Sequence, residues 1–172
     1  MKSTTLRTRN DLPEKTRREM IKLLNQHLAN ILDLGLQVKQ AHWNVKGRHF
    51  IGLHELFDKV AEELEEYTDS IAERAVQLGG NALGTIQAVS KNSRLRAYPL
   101  ALVSGDSHAS KVADALATFG ASVRKAIDEA NNSGDLDTAD LFTEVSRGAD
   151  KMLWMIEAYL QPSDKNELHA TN

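Results

Sequence analysis

Two histidines and three acids stand at helical spacings in residues 41–74, AHWNVKGRHFIGLHELFDKVAEELEEYTDSIAER: His42, His54, Asp58, Asp69 and Glu73. The chain has no cysteine, which excludes disulfides, zinc–thiolate sites and thiol nucleophiles, so any metal must sit on His, Asp or Glu. At about 100° per residue, with His54 at zero, Asp58 falls at about 40°, Asp69 at about 60° and Glu73 at about 100°. The apolar stripe through Leu53, Phe57, Leu64 and Ala75 centres at about −90°, so the ligand-like face lies on the order of 140° from it and points away from its own bundle. His54 and Asp69 are also about 22 Å apart along the helix axis, too far to share one ion within one chain. A second copy running antiparallel, about a two-fold axis near residues 63 and 64, brings His54 and Asp58 of one chain opposite Asp69 and Glu73 of the other. The spacing therefore predicts an isologous dimer with two equivalent sites. Within each half, the i,i+4 pairs stand about 6 Å apart at Cβ, close enough to chelate one metal.

Each acid taken singly also reads as a solvated charge on an outward face, and the run EELEE at residues 62–66 supplies further acids to the same helix. His42 continues the apolar stripe of the preceding helix, where a satisfied core or interface histidine is the alternative to a ligand. Only the combination points to metal. His27, His49, His108 and His169 show no partner pattern.

Four long helices are predicted to carry these residues. The first starts at Asp11 as N-cap, with Pro13 and Glu14 behind it, and runs to about residue 45 with Leu24, Leu28, Ile31, Gly35, Val38 and His42 on one stripe. The second spans about residues 51–78 and ends at Gly79-Gly80. A third runs from about 108 to 130 with Val112, Leu116, Phe119, Val123 and Ile127 inward. The fourth starts at Asp137 or Thr138 and carries Leu141, Val145, Met152, Ile156 and Tyr159 up to Pro162. Between the second and third lies NALGTIQAVSKNSRLRAYPLALVSGDS, far longer than a usual connection. If it crosses the bundle lengthwise, the second and third long helices are parallel, the one-crossover arrangement of ferritin-like folds. At 172 residues and 41% hydrophobic content the chain is expected to form one all-α domain. Residues 1–10 are expected as a flexible basic tail, 11–161 as the bundle and 162–172 as a polar tail. The start MKSTTLRTRN lacks an apolar core of signal-peptide length and no stretch is apolar enough to span a membrane, so the expected location is cytoplasmic. A net charge of −3 gives no chain-wide field for nucleic acid.

The run KQAHWNVKGRHFIGLHELFD followed by DSIAERAVQLGG resembles Dps, the mini-ferritins named as DNA-binding proteins from starved cells. The resemblance covers nearly the whole chain, including TRNDLPEK, VRKAIDEA and DKMLWMIEAYL. Its HW, LHxxxD and DxxAER motifs at these separations form that family's ferroxidase signature. It implies a ferritin-like four-helix bundle with a short extra helix in the long connection, assembled as a hollow shell of twelve subunits. It also implies a di-iron site at the two-fold interface, with His42, His54 and Asp58 from one subunit and Asp69 and Glu73 from its mate. The implied activity is oxidation of Fe(II), preferably by hydrogen peroxide, with Fe(III) mineral stored in the cavity and zinc as a substitute metal. Asp137 and Asp140 are the candidates for an acidic iron pore, followed by Asp135 and Glu144; Asp137 as a helix cap is the alternative. Trp43 is a candidate radical quencher, and Trp154 is expected to be plain packing. Lys2, Arg7 and Arg9, extended by Lys15, Arg17, Arg18 and Lys22, are the candidate DNA contacts, which would associate the shell with the nucleoid. Two other readings remain: a nucleoid-binding structural protein with secondary iron chemistry, and a 24-subunit ferritin, which the outward ligand face disfavours.

Overall fold

The computed structural model describes residues 6–161. Five helices follow one another: α1 Glu14–Asn44, α2 Phe50–Gln77, α3 Ile86–Asn92, α4 Gly105–Asn132 and α5 Leu136–Leu160. No strand occurs among the described residues, only an isolated bridge between Lys46 and Ser104. None of the helices is long and apolar enough to cross a membrane.

Helix α1 begins two residues later than expected. Pro13 is the N-cap and no side chain caps the helix; Asp11 is exposed and plays no part. The Asn10 side chain instead accepts from the Leu12 backbone N–H, turning the chain into the helix. Gly79, at φ 88, ends α2, and Gly80 donates back to the Ala75 carbonyl at 2.9 Å in a Schellman-type closure. A Cβ at position 80 would stand 2.6 Å from Ile21 Cγ2, so glycine also lets the end of α2 press on α1. The long third helix starts at Gly105 rather than 108, because Ser104 caps it by accepting from Ser107.

Interlocking contacts fix the direction of each helix. Thr16, at the start of α1, donates to the Ser133 carbonyl after α4, so α1 and α4 are antiparallel. Arg74, at the end of α2, pairs with Asp135 before α5, so α2 and α5 are antiparallel as well. With short turns joining α1 to α2 and α4 to α5, helices α2 and α4 must run parallel, as the crossover length predicted. The crossover leaves α2 at one end and reaches Ser104 beside Lys46 at the other. A polar row on α1 pins it along the way: Asn25 bonds Asn81 and Leu83, Gln26 bonds the Asn92 carbonyl, Asn30 accepts from Arg94, and Gln37 donates to the Arg96 carbonyl. Between these pins, Thr85 caps the short α3. The core centres on Phe57, Phe119 and Phe142, all fully buried with most of the expected stripes of α1, α2, α4 and α5, while Gly35, Ile127, Leu141 and Tyr159 of those stripes are only half-buried.

The basic tail is not free along its whole length. Leu6 donates to the Gly79 carbonyl at 2.7 Å, and Asn10 to Thr8 Oγ1, so residues 6–10 lie against the bundle end. The first five residues, with Lys2, and the polar tail from residue 162 onward, with His169, lie outside the described residues.

Candidate metal centre

His42 lies in the last turn of α1 and His54 in the second turn of α2. His42 Nδ1 is 2.8 Å from the His54 backbone oxygen, and His54 Nδ1 is 2.9 Å from the His42 backbone oxygen. A carbonyl oxygen can only accept, so each Nδ1 carries a proton and each Nε2 of the neutral ring presents a lone pair. The rings stack with centroids 3.7 Å apart and planes inclined by 22°. His42 is thus buried under His54 rather than in the core, and its hydrogen-bonding need is met without using Nε2.

Asp58, one turn after His54, is half-exposed and lies with Oδ1 3.8 Å from His42 Nδ1. Its Oδ1 accepts from Lys39 Nζ at 2.7 Å. That hydrogen bond, with burial opposing it, holds the Asp58 carboxyl below the usual carboxylate range. Lys39 Nζ also lies 5.8 Å from the Trp43 ring centroid. Lys39 was not singled out in the sequence; the signal was its place three residues before His42, on the same helix face.

Asp69 and Glu73 are exposed, as their outward wheel position predicted, and stand far along α2 from His54 and Asp58. Within one chain, no group of three His, Asp or Glu converges on an ion among the described residues. A groove of about 820 Å³ runs from α3 between α1 and α2 to Lys39 and Asp58, lined by Leu32, Leu36, Leu64, Ile86 and Val89. Leu36 is 56% and Ile86 76% exposed on it.

The neighbour of Glu73 faces the other way. Arg74 donates to Asp135 Oδ1 at 2.7 Å and to Thr138 Oγ1 at 3.0 Å, clamping the end of α2 to the start of α5. Asp135 is 1% exposed and caps α5 by accepting from the Thr138 N–H. It is therefore a buried structural acid, which removes it from the pore candidates, and it, not Asp137, is the cap. Asp137, Asp140 and Glu144 are exposed on α5, with Asp137 3.7 Å from Arg74.

Two other expectations change. Trp154 is not packed into the core: it is 64% exposed, much like Trp43 at 63%. Arg17 is not a free surface cation, since it donates to the carbonyls of Leu12 and Leu78 and joins α1 to the end of α2. Arg18 pairs with Glu14, while Arg7, Arg9, Lys15 and Lys22 are exposed.

The ferritin-like domain family matches residues 21–165. Over 157 residues the chain is 46% identical to the DNA protection during starvation protein of Agrobacterium fabrum, a match covering 91% of this chain and 97% of that one. Among solved structures, DpsC from Streptomyces coelicolor superposes with a TM-score of 0.89 at 29% identity over 94% of each chain. The tetragonal form of Mycobacterium smegmatis Dps gives 0.86 at 29% identity, covering 95% of this chain and 96% of that one. The chain belongs to the Dps family of ferritin-like proteins, several of whose curated members carry the name DNA protection during starvation protein.

Proposed function

We propose that this protein oxidises Fe(II) at paired-iron sites between two-fold related subunits and stores the Fe(III) in a hollow twelve-subunit shell, so protecting DNA. The observation that carries this reading is the reciprocal His42/His54 lock, which leaves the Nε2 lone pairs of two stacked imidazoles uncommitted, with Asp58 one turn on from His54. Asp69 and Glu73 of a second copy complete the donor set. The apolar groove ending at Lys39 and Asp58 supports that partner, because a second copy laid antiparallel on α2 would cover Leu36 and Ile86 while delivering its acids.

Iron is the substrate, and the donor chemistry suits it: imidazole and carboxylate accept Fe(II), and carboxylate retains Fe(III). Two irons held together each give one electron to hydrogen peroxide, the preferred two-electron oxidant, so no hydroxyl radical is released. The exposed acids Asp137 and Asp140 at the start of α5 serve as the iron pore. Zinc, which takes the same N and O ligands without redox chemistry, would act as an inhibitor.

The test is anaerobic addition of Fe(II) to the assembled shell, then hydrogen peroxide, following Fe(III) absorbance and peroxide consumed. Fast oxidation at about one peroxide per two irons is expected. A rate no greater than in buffer would overturn the reading.

Contact with DNA is weaker, sequence-independent and salt-sensitive, through Arg7, Arg9 and Lys2 multiplied over the shell. Retardation of DNA by the intact shell at low salt, lost on raising salt, is the expected result; no retardation at low salt would sink it.

A further inference from the structure

The turn between α1 and α2, KGRH at residues 46–49, takes no part in the candidate metal centre, yet it forms one wall of a cavity of about 470 Å³. The start of α4 forms the opposite wall. The two helix starts are pressed together: a Cβ on Gly105 would stand 2.6 Å from Leu53 Cδ1, so only glycine lets α4 begin against the first turn of α2. The backbone bridge between Lys46 and Ser104 holds the walls in register. Such a volume lies in the range of small-molecule sites, about 300–1,000 Å³.

Positive charge collects in this cavity. Lys46, Arg48 and His49 all line it, and neither Lys46 nor Arg48 forms an ion pair among the described residues. By contrast Lys39, Lys111 and Arg124 each hold a carboxylate within 2.8 Å. The one acid in the lining is Asp106, and its Oδ1 already accepts from the Tyr159 hydroxyl at 2.8 Å, in the first turn of α4 whose dipole it offsets. Two unpaired cations against one engaged acid leave the lining positive in a chain that carries −3 overall. Helix α2 follows directly on the turn with no side-chain cap and no acid in its first turn, so its dipole adds to a field that the cations already define.

We propose that this cavity binds a dianionic phosphate group, either inorganic phosphate or the terminal phosphate of a small organic phosphate. The planar fork of the Arg48 guanidinium suits two phosphate oxygens, the Lys46 ammonium supplies a point charge, and the His49 ring offers an N–H. A phosphate brings two charges to two cations, whereas a carboxylate would leave one cation unmatched. Leu53, Val103 and the edge-on rings of His49 and Tyr159, with centroids 5.9 Å apart, give the cavity an apolar side. A bare ion makes no use of that side, and the organic part of a phosphate ester would cover it. None of these residues belongs to the candidate metal centre, so the site stands apart from the ferroxidase reading and is open to test without iron.

The test is isothermal titration of the iron-free full-length protein, in buffer without phosphate or sulfate, with inorganic phosphate and separately with adenosine 5′-monophosphate. Saturable binding is expected, weakened at least about tenfold by Lys46→Gln/Arg48→Gln and weakened also by added salt. Lys91→Gln/Arg96→Gln, which removes two exposed cations of the crossover, should leave the affinity within about two-fold. Phosphate binding as tightly as the nucleotide assigns the site to the free ion. Tighter binding of the nucleotide, lost selectively in Val103→Ser, assigns it to an organic phosphate. No saturable binding of either titrant by the wild type overturns the proposal, whatever the variants do. Binding that Lys46→Gln/Arg48→Gln leaves unchanged, or that Lys91→Gln/Arg96→Gln weakens as much, overturns it as well.

Discussion

In the first half of α2, His54 and Asp58 are held from α1: by the His42 carbonyl, by the stacked His42 ring and by the Lys39 ammonium. In the second half, Asp69 and Glu73 stand in the open, and only the position of the helix decides where they point. The first half is organised by its own chain, with rotamers and tautomers already chosen. The second is organised at one remove, through Arg74, whose bonds to Asp135 and Thr138 fix the end of α2 on α5. Such a division of the proposed site separates folding from function: one half can be damaged without harm to the subunit, and the other cannot.

The largest effect follows directly. Asp69→Ala with Glu73→Ala should reduce the rate of Fe(II) oxidation at least about 100-fold, at the level of losing metal ligands, with no change in the subunit's melting temperature. His54→Ala should reduce the rate similarly and also destabilise, by about 1–3 kcal/mol, because the His42 carbonyl loses its donor and the stacked His42 ring its cover. Urea melts read beside oxidation rates separate the two variants. If the acid pair variant melts as early as His54→Ala, the contrast between the halves is false.

Next in size is the clamp. The Arg74 and Asp135 side chains are 11% and 1% exposed, so removing either leaves a buried charge without its partner. Arg74→Ala is expected to cost about 3–5 kcal/mol in urea unfolding. Arg74→Lys should restore only part of this, since an ammonium cannot serve both Asp135 and Thr138 in the planar geometry of a guanidinium. A cost near zero would mean that α2 holds its course without α5.

The same division explains what the sequence made legible. The shared outward face of His54, Asp58, Asp69 and Glu73 and the parallel α2 and α4 followed from periodicity and connection length, which depend only on helix geometry; His42 as a ligand candidate came only with the family resemblance. The burial of Phe57, Val60, Leu64 and Ile71 followed in the same way. What escaped was side-chain choice between partners distant in sequence. Asp135 and Asp137 are both acids near a helix start, and only the approach of Arg74 from 61 residues away makes the first a buried cap and leaves the second in solvent. Arg17 resembled any basic residue of the first turns until its contact with the Leu78 carbonyl was visible. The polar row Asn25, Gln26, Asn30 and Gln37 reads as a solvated face, yet Asn30 and Gln37 are buried by the crossover they hold. Trp154 shows the converse, an aromatic in a helix that its own chain leaves mostly exposed.

A smaller effect contrasts two histidines of α1. His42 spends Nδ1 on a carbonyl and leaves Nε2 uncommitted, while His27 spends Nδ1 on the Leu23 carbonyl and buries Nε2 without a partner, its ring against Phe142. Burial lowers the pKa of His27 from 6.5, with the Leu23 and Ser122 carbonyls and Glu129 opposing and Arg94 assisting. The unfolded chain therefore takes up this proton first. Stability is full above about pH 6.5 and falls as the pH drops below it, until the folded pKa is reached, with a limiting slope of about 1.4 kcal/mol per pH unit for one such group. His27→Gln should flatten that slope in urea melts between pH 7 and 5 at constant salt. His108, lowered in the same direction, leaves a residual slope. An unchanged slope would show that His27 is not the group responsible.

The smallest effect tests how far the organised half is committed before metal arrives. Lys39 and Asp58 are 32% and 44% exposed, so their 2.7 Å contact is partly screened by water and salt. The ammonium fixes the carboxylate near His42, but a divalent cation must then displace another cation from the same oxygen. Removing the charge with Lys39→Gln frees Asp58 at the expense of its orientation. For a half-exposed pair the first effect should win, and anaerobic Fe(II) or Zn(II) binding should tighten by about three-fold, with the gain shrinking as salt rises. Weaker binding at every salt concentration would reverse the assignment. Lys39 would then act as a brace for the ligand rather than its competitor, and the first half of α2 would be even more firmly built than the second.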